Sequence, residues 1–248
     1  LELGIAATVL ASTPLVDNYP SALVKAYHWT GGAFVPMNAI LFGIAMSLML
    51  VPTLLMGGTF PIISRIVVNR LGGFVRGVGV AYALNTLGGI IGAVTAAFIV
   101  LPAASMGAQR GILLSAACNG LLGIALAFMS GKKLRWPVAL GGAALLGALM
   151  SPAATPWDTK KLGSGIYYDL QDIESIQDME DRLAKEILLY EGEDSSAMVL
   201  VSRNQENRSI ALHINGKPVA SSGFMDMVIE YMLGHLPVIL TADPKEVV

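Results

Sequence analysis

Residues 35–61 read VPMNAILFGIAMSLMLVPTLLMGGTFP, a run of mostly apolar residues without one charged side chain. A helix needs roughly 20 such residues to cross about 30 Å of hydrocarbon, so this stretch predicts a transmembrane helix. Two more stretches, 78–102 and 111–130, meet the same requirement. Residues 1–12 read as the end of a further membrane helix whose start is missing, and the chain is expected to be a fragment of a longer protein. A fourth stretch, 136–150, is short for a span. The composition agrees: 54% of residues are hydrophobic and 14% charged, where soluble domains carry about a quarter charged residues. The net charge of −2 gives no basic field, which argues against a nucleic-acid partner; the lipid bilayer is the partner the pattern requires.

Arg65, Arg70 and Arg76 crowd one linker and Lys132, Lys133 and Arg135 another, so both are expected on the cytoplasmic side. Residues after Met150 then lie outside the cytoplasm if 136–150 spans, and inside if it is re-entrant. Hydropathy leaves that choice open. Pro52, Gly57, Gly58 and Pro61 are expected to break or kink their helix, either as a discontinuous helix lining a path or as a packing kink. Gly88 and Gly92 have the spacing that allows close helix approach. Asn85 and Asn119 are amides at membrane depth and are expected to bond to neighbouring helices. The three clear spans hold no Asp, Glu, Lys or His, which counts against an ion-coupled pump. The lone Cys118 sits in an apolar stretch, which excludes an internal disulfide and a cysteine-based metal site.

Polar sequence begins after residue 152. Residues 153–189 read as a linker ending in a helix. From Ala197 the period changes to two: Met198, Leu200 and Ser202 alternate with Val199, Val201 and Arg203. A second strand puts Ile210, Leu212 and Ile214 on one face and Ala211, His213 and Asn215 on the other. Asn215-Gly216 is a hairpin signal because both residue types tolerate positive φ, and a short strand at 218–220 completes a small antiparallel sheet. Ser221 to Gly223 opens a helix on which Phe224, Tyr231 and His235 share a face, with Asp226 and Glu230 directed elsewhere; Pro237 is expected to end it. His213 has no partner at metal-ligand spacing, and no metal site is expected.

The Asn215-Gly216 hairpin, the helix closing on Gly234-His235-Leu236-Pro237 and the turn at Asp243-Pro244-Lys245 resemble the amino-terminal part of spermidine synthases, the polyamine aminopropyltransferases. With the motifs at Glu2 to Ile5, Pro52 to Pro61 and Tyr82 to Gly88, the chain is similar to bacterial proteins that fuse such a domain to a multi-pass membrane region. The resemblance implies a helical bundle over residues 1–152, then a small α+β module at 190–248 that stops before the Rossmann-like half. It implies aminopropyl transfer from decarboxylated S-adenosylmethionine to an amine, in polyamine biosynthesis at the bacterial plasma membrane. The donor is a co-substrate whose site would follow Val248, so this chain is expected to hold no cofactor and no catalytic residue. His235, Asp226 and Tyr231 are the substrate-binding candidates, with a small amine or polyamine as ligand. Val219 and Ile229 stand where the soluble enzymes carry a glutamine and a tyrosine. The alternative is a transporter-like or sensor membrane protein whose module binds a polyamine without catalysis; self-association into a homo-oligomer is compatible with either.

Overall fold

A computed structural model describes residues 1–71, 73–101, 107–129, 135–149, 157–194 and 196–241. The turn at Asp243-Pro244 lies outside them. The chain divides into a membrane unit, residues 1–158 with 193–196, and an extramembrane unit, residues 159–192 with 197–248.

The membrane unit is helical: α1 (Glu2–Asp17), α2 (Tyr19–Thr30), α3 (Phe34–Leu71), α4 (Phe74–Thr95), α5 (Gly107–Met129) and α6 (Arg135–Leu149), with α4 extended by a π-helical turn at Ala96–Val100. Three of these, over Phe34–Arg70, Phe74–Val100 and Gly107–Met129, are long and apolar enough to cross a membrane. Their outward faces carry side chains such as Phe42, Leu54, Leu84 and Ile90, all exposed, a surface that water would not tolerate at this extent. The chain is therefore read as a membrane protein.

Small residues decide which helices meet. Ala6 of α1, Ala116 and Ala117 of α5 and Leu149 of α6 form a buried cluster, edged by Val9, Leu10 and Leu113. A Cβ on Gly120 would lie 3.0 Å from Leu146, and one on Gly123 would lie 3.0 Å from Leu3, so α1 and α5 run antiparallel with α6 beside them. The closest approach is between α3 and α4, where a Cβ on Gly77 would lie 2.6 Å from the Val68 Cα. Gly88 and Gly92 have no neighbour within 4 Å, so their spacing is not the contact that packs these helices.

Several local expectations are corrected. α3 is helical on both sides of Pro52 and Pro61, so neither proline breaks it. Each proline removes one backbone donor, and the remaining ladder carries the helix past it. Asn119 bonds to no neighbouring helix: its Nδ2 donates to the Ser115 carbonyl at 2.9 Å, one turn back in α5. Asn85 is exposed on α4. Cys118 is exposed on the surface of α5.

The extramembrane unit holds a short α7 (Thr159–Gly163), two 3-10 turns (Ile166–Tyr168 and Leu170–Asp172), α8 (Ile176–Lys185), a sheet of β1 (Glu186–Glu193), β2 (Met198–Asn204), β3 (Ile210–Ile214) and β4 (Lys217–Ser221), and α9 (Phe224–Leu240). The four strands lie in chain order, and β2 with β3 and β3 with β4 pair antiparallel. β1 opens inside the stretch read as linker and helix. The β3–β4 turn has Asn215 at φ 51° and Gly216 at φ 73°, the pair of left-handed conformations a two-residue hairpin needs. Asn215 also binds β2 directly, its Oδ1 accepting from the Met198 N–H at 2.8 Å.

α8 starts where Ser175 Oγ accepts from the Asp178 N–H at 3.1 Å and Asp178 Oδ2 accepts from the Glu174 N–H at 3.1 Å, satisfying two donors at its first turn. Met179 and Leu200 are fully buried, and with Ile166, Leu170 and Ile173 they form the small core of this unit. α9 continues through Pro237 to Leu240 and does not end there; the Pro237 carbonyl accepts from the Thr241 N–H at 3.1 Å.

Candidate functional site

Pleat parity builds the site. In an antiparallel sheet, residues opposite one another share a face. The pairs Leu200–His213, Ser202–Ala211, Ala211–Ser221 and His213–Pro218 therefore put all of these side chains on one side. That side is the floor of an open cavity of about 660 Å³, walled by α8 and the turns before it. The size suits a small molecule.

The walls carry more negative than positive charge. Asp169, Asp178, Glu186, Glu206 and Asp226 line the cavity, against Lys160, Arg182 and Lys185. Two of the cations are committed: Arg182 Nε pairs with Asp178 at 3.2 Å and Lys185 Nζ with Glu206 at 3.0 Å. Asp169, Glu186 and Asp226 have no cationic partner within 4.0 Å among the described residues. Glu186 accepts from Asn204 Nδ2 at 2.8 Å, and Asp226 accepts from Ser221 Oγ, which in turn accepts from the Gly223 N–H.

Burial pushes the Asp169 carboxyl above the usual carboxylate range, Asp172 pushes the same way, and Arg182 and His213 oppose them. Burial holds the His213 imidazole below its ordinary value, against the pull of Glu186 and Asp169. The ring is therefore neutral at neutral pH. Arg182 donates to Asp178, which with the Glu174 N–H holds that carboxyl below the usual range.

Of the residues singled out in the sequence, Asp226 reaches this cavity. Tyr231 and His235 stack on one another along α9, ring centroids 6.2 Å apart at 22°, as their i, i+4 spacing requires. Both are exposed and neither lines the cavity. Glu230, on the same helix, is exposed as well. The sequence reading passed over Asp169, Glu186, Ser202 and His213. The parity of β2 and β3 already placed Ser202 and His213 on definite faces; the missing information was the register that makes those faces one.

At the other unit, one end of the bundle is closed by polar contacts. Trp157 donates from Nε1 to the Thr13 carbonyl at 3.1 Å and from its backbone N–H to Gln109 Oε1 at 2.9 Å. The Ala108 N–H, at the start of α5, donates to Glu193 Oε2 at 2.9 Å. Trp157 thus sits at the Gly107 end of α5, while α6 begins after the Met129 end.

No known protein family, curated protein or solved structure matches this chain.

Proposed function

We propose that this is a membrane-anchored protein whose extramembrane unit binds a small cationic amine, as part of a spermidine synthase-like aminopropyltransferase of the bacterial plasma membrane. The observation that supports it is the cavity with three carboxylates, Asp169, Glu186 and Asp226, that lack cationic partners among the described residues. Carboxylates left unneutralised around a small cavity attract an ammonium and repel anions. In aminopropyl transfer the amine lone pair forms a C–N bond as the C–S bond of the sulfonium breaks, and the amine loses a proton. The residues of this chain would gather and orient the amine. Decarboxylated S-adenosylmethionine would be the aminopropyl donor.

Binding without transfer is the second reading, and one observation favours it. The chain leaves the membrane unit at Trp157, at the end opposite the arginine-rich turn of α3 and α4. By the positive-inside rule that end is expected outside the cytoplasm, away from a cytosolic sulfonium donor.

Titration calorimetry of the full-length protein in lipid nanodiscs with putrescine and spermidine tests the amine reading. Replacing Glu186 with Gln and Asp169 with Asn should each weaken binding about 2- to 10-fold, the range for a partly exposed charge pair or charge-assisted bond. Unchanged affinity in the double variant would refute the site. Incubation with labelled decarboxylated S-adenosylmethionine then separates transfer from binding alone.

A further inference from the structure

Two polar groups on the cavity floor have no use within the protein. Ser202 is 4% exposed and faces the cavity, and its hydroxyl makes no hydrogen bond among the described residues. His213, one register step along on the neighbouring strand, has a buried Nδ1 without a partner. Nδ1 lies against Gly165, whose Cβ, if present, would be 3.3 Å away. Either tautomer leaves the buried Nδ1 without a partner, but an orphaned N–H is the costlier of the two, which favours the neutral ring with its proton on Nε2, the nitrogen left to meet the cavity. The floor therefore offers an N–H from His213 and an O–H from Ser202. Neither is charged, and both can donate.

A plain diamine, charged at both ends, leaves the His213 N–H unused, since its second ammonium has only protons to present there. We propose that the cavity is a two-ended site for an amine that also carries an uncharged hydrogen-bond acceptor, an amide carbonyl or a hydroxyl, with the acceptor on Ser202 and His213 and the ammonium among the carboxylates. The ligand class is then an acylated polyamine or an amino alcohol. This inference rests on the amine-binding reading of the same cavity. Asp169 and Glu186 hold the cation, and the floor selects what the cation is attached to. A site built to bond an acceptor discriminates against ligands without one, because its donors then lose the partner they are placed to meet.

The test compares N-acetylputrescine with heptylamine, a monoamine of matched length with no acceptor, on the full-length protein in nanodiscs. Ser202→Ala should weaken N-acetylputrescine about 2- to 12-fold, the equivalent of one net hydrogen bond, and leave heptylamine unchanged. The protein has three histidines, so selective ¹⁵N-histidine labelling resolves the His213 ring. Its spectrum should show the Nε2–H form in the free protein, with the Nε2 signal moving on addition of N-acetylputrescine and not of heptylamine. Equal loss for both ligands, no loss for either, or a proton on Nδ1 would overturn the inference while leaving amine binding intact. If neither ligand binds at millimolar concentration, the amine reading falls and the inference falls with it.

Discussion

Gly165 is the position where one methyl group should do most damage to the extramembrane unit. It precedes the first 3-10 turn with φ at 75°, a conformation that costs an L-residue about 1–2 kcal/mol. A Cβ there would also stand 2.6 Å from the Gly216 carbonyl oxygen and 3.2 Å from Pro218 Cδ. The first distance is roughly 0.8 Å inside the 3.4 Å at which ordinary contact begins, and the obstacle is backbone, which cannot rotate away. Overpacking of this kind adds about 1–3 kcal/mol. Gly165→Ala should therefore cost about 2–5 kcal/mol. Gly216 supplies the control. Its φ is 73°, but its nearest foreign atom, the Leu162 carbonyl oxygen, is 3.4 Å away, so Gly216→Ala should cost only the conformational part, about 1–2 kcal/mol. Hydrogen exchange of peptides from β2 and β3, read by mass spectrometry in nanodiscs, gives both values within one unit. Equal losses in the two variants would refute the claim that the first 3-10 turn packs against the hairpin.

Three further outcomes follow from local chemistry. Acidification from pH 7 toward 5 should destabilise the extramembrane unit, because the unfolded chain protonates His213 near pH 6.5 while the folded unit resists; Asp169, whose carboxyl is raised, acts with the opposite sign from the acid side. Exchange measured across this range should show a shallower pH slope in His213→Gln than in the wild type. Glu193→Gln should speed exchange at the first turn of α5 by an amount equivalent to about 0.5–2 kcal/mol, since the charge on the Ala108 N–H is lost. Cys118, exposed on a membrane-spanning surface, should resist a water-soluble maleimide in nanodiscs and react once the protein is unfolded in detergent; ready labelling in the bilayer would contradict the assignment of α5 as a span.

The membrane helices were legible because a span is a one-dimensional property: length and apolarity alone mark α3, α4 and α5. The β2–β3–β4 hairpins were legible for a similar reason, since alternation and Asn215-Gly216 are local signals. β1 was not. Its Glu-Ile-Leu-Leu-Tyr opening does not alternate, and the strand follows α8 with no intervening turn residue. α2 escaped for another reason: its apolar positions are spaced among Tyr, Lys and His, and its boundaries rest on Pro20 in the first turn and the left-handed Gly31 at the end. The prolines at 52, 61 and 237 misled because proline disfavours a helix interior by a few kcal/mol, which a long helix with packed neighbours or a hydrocarbon setting can absorb. The cavity could not be read from periodicity at all. It depends on sheet register and on α8 lying over one face, and both are tertiary facts.

The side of the membrane is where structure adds most to sequence. Hydropathy left residues 136–150 either spanning or re-entrant, and the two choices put everything after them on opposite sides. The hydrogen bonds of Trp157 to Thr13 and Gln109 favour the spanning choice, because Gln109 is in the first turn of α5 and α6 begins beyond its last. The arginines at 65, 70 and 76 and the basic residues 132, 133 and 135, six in number, belong to linkers at one end of the spans, against Lys25, Arg110, Lys160 and Lys161 at the other. By the positive-inside rule the richer end is predicted to face the cytoplasm. A single cysteine placed at Glu206 in a Cys118→Ser background should accordingly react with an impermeant maleimide added outside intact cells, and one at Arg70 should not. The reverse pattern would return the cavity to the cytosol and to the sulfonium donor found there. The expected pattern would separate the cavity from the donor that the proposed transfer needs, and would favour the proposed recognition of an external amine by the same carboxylates.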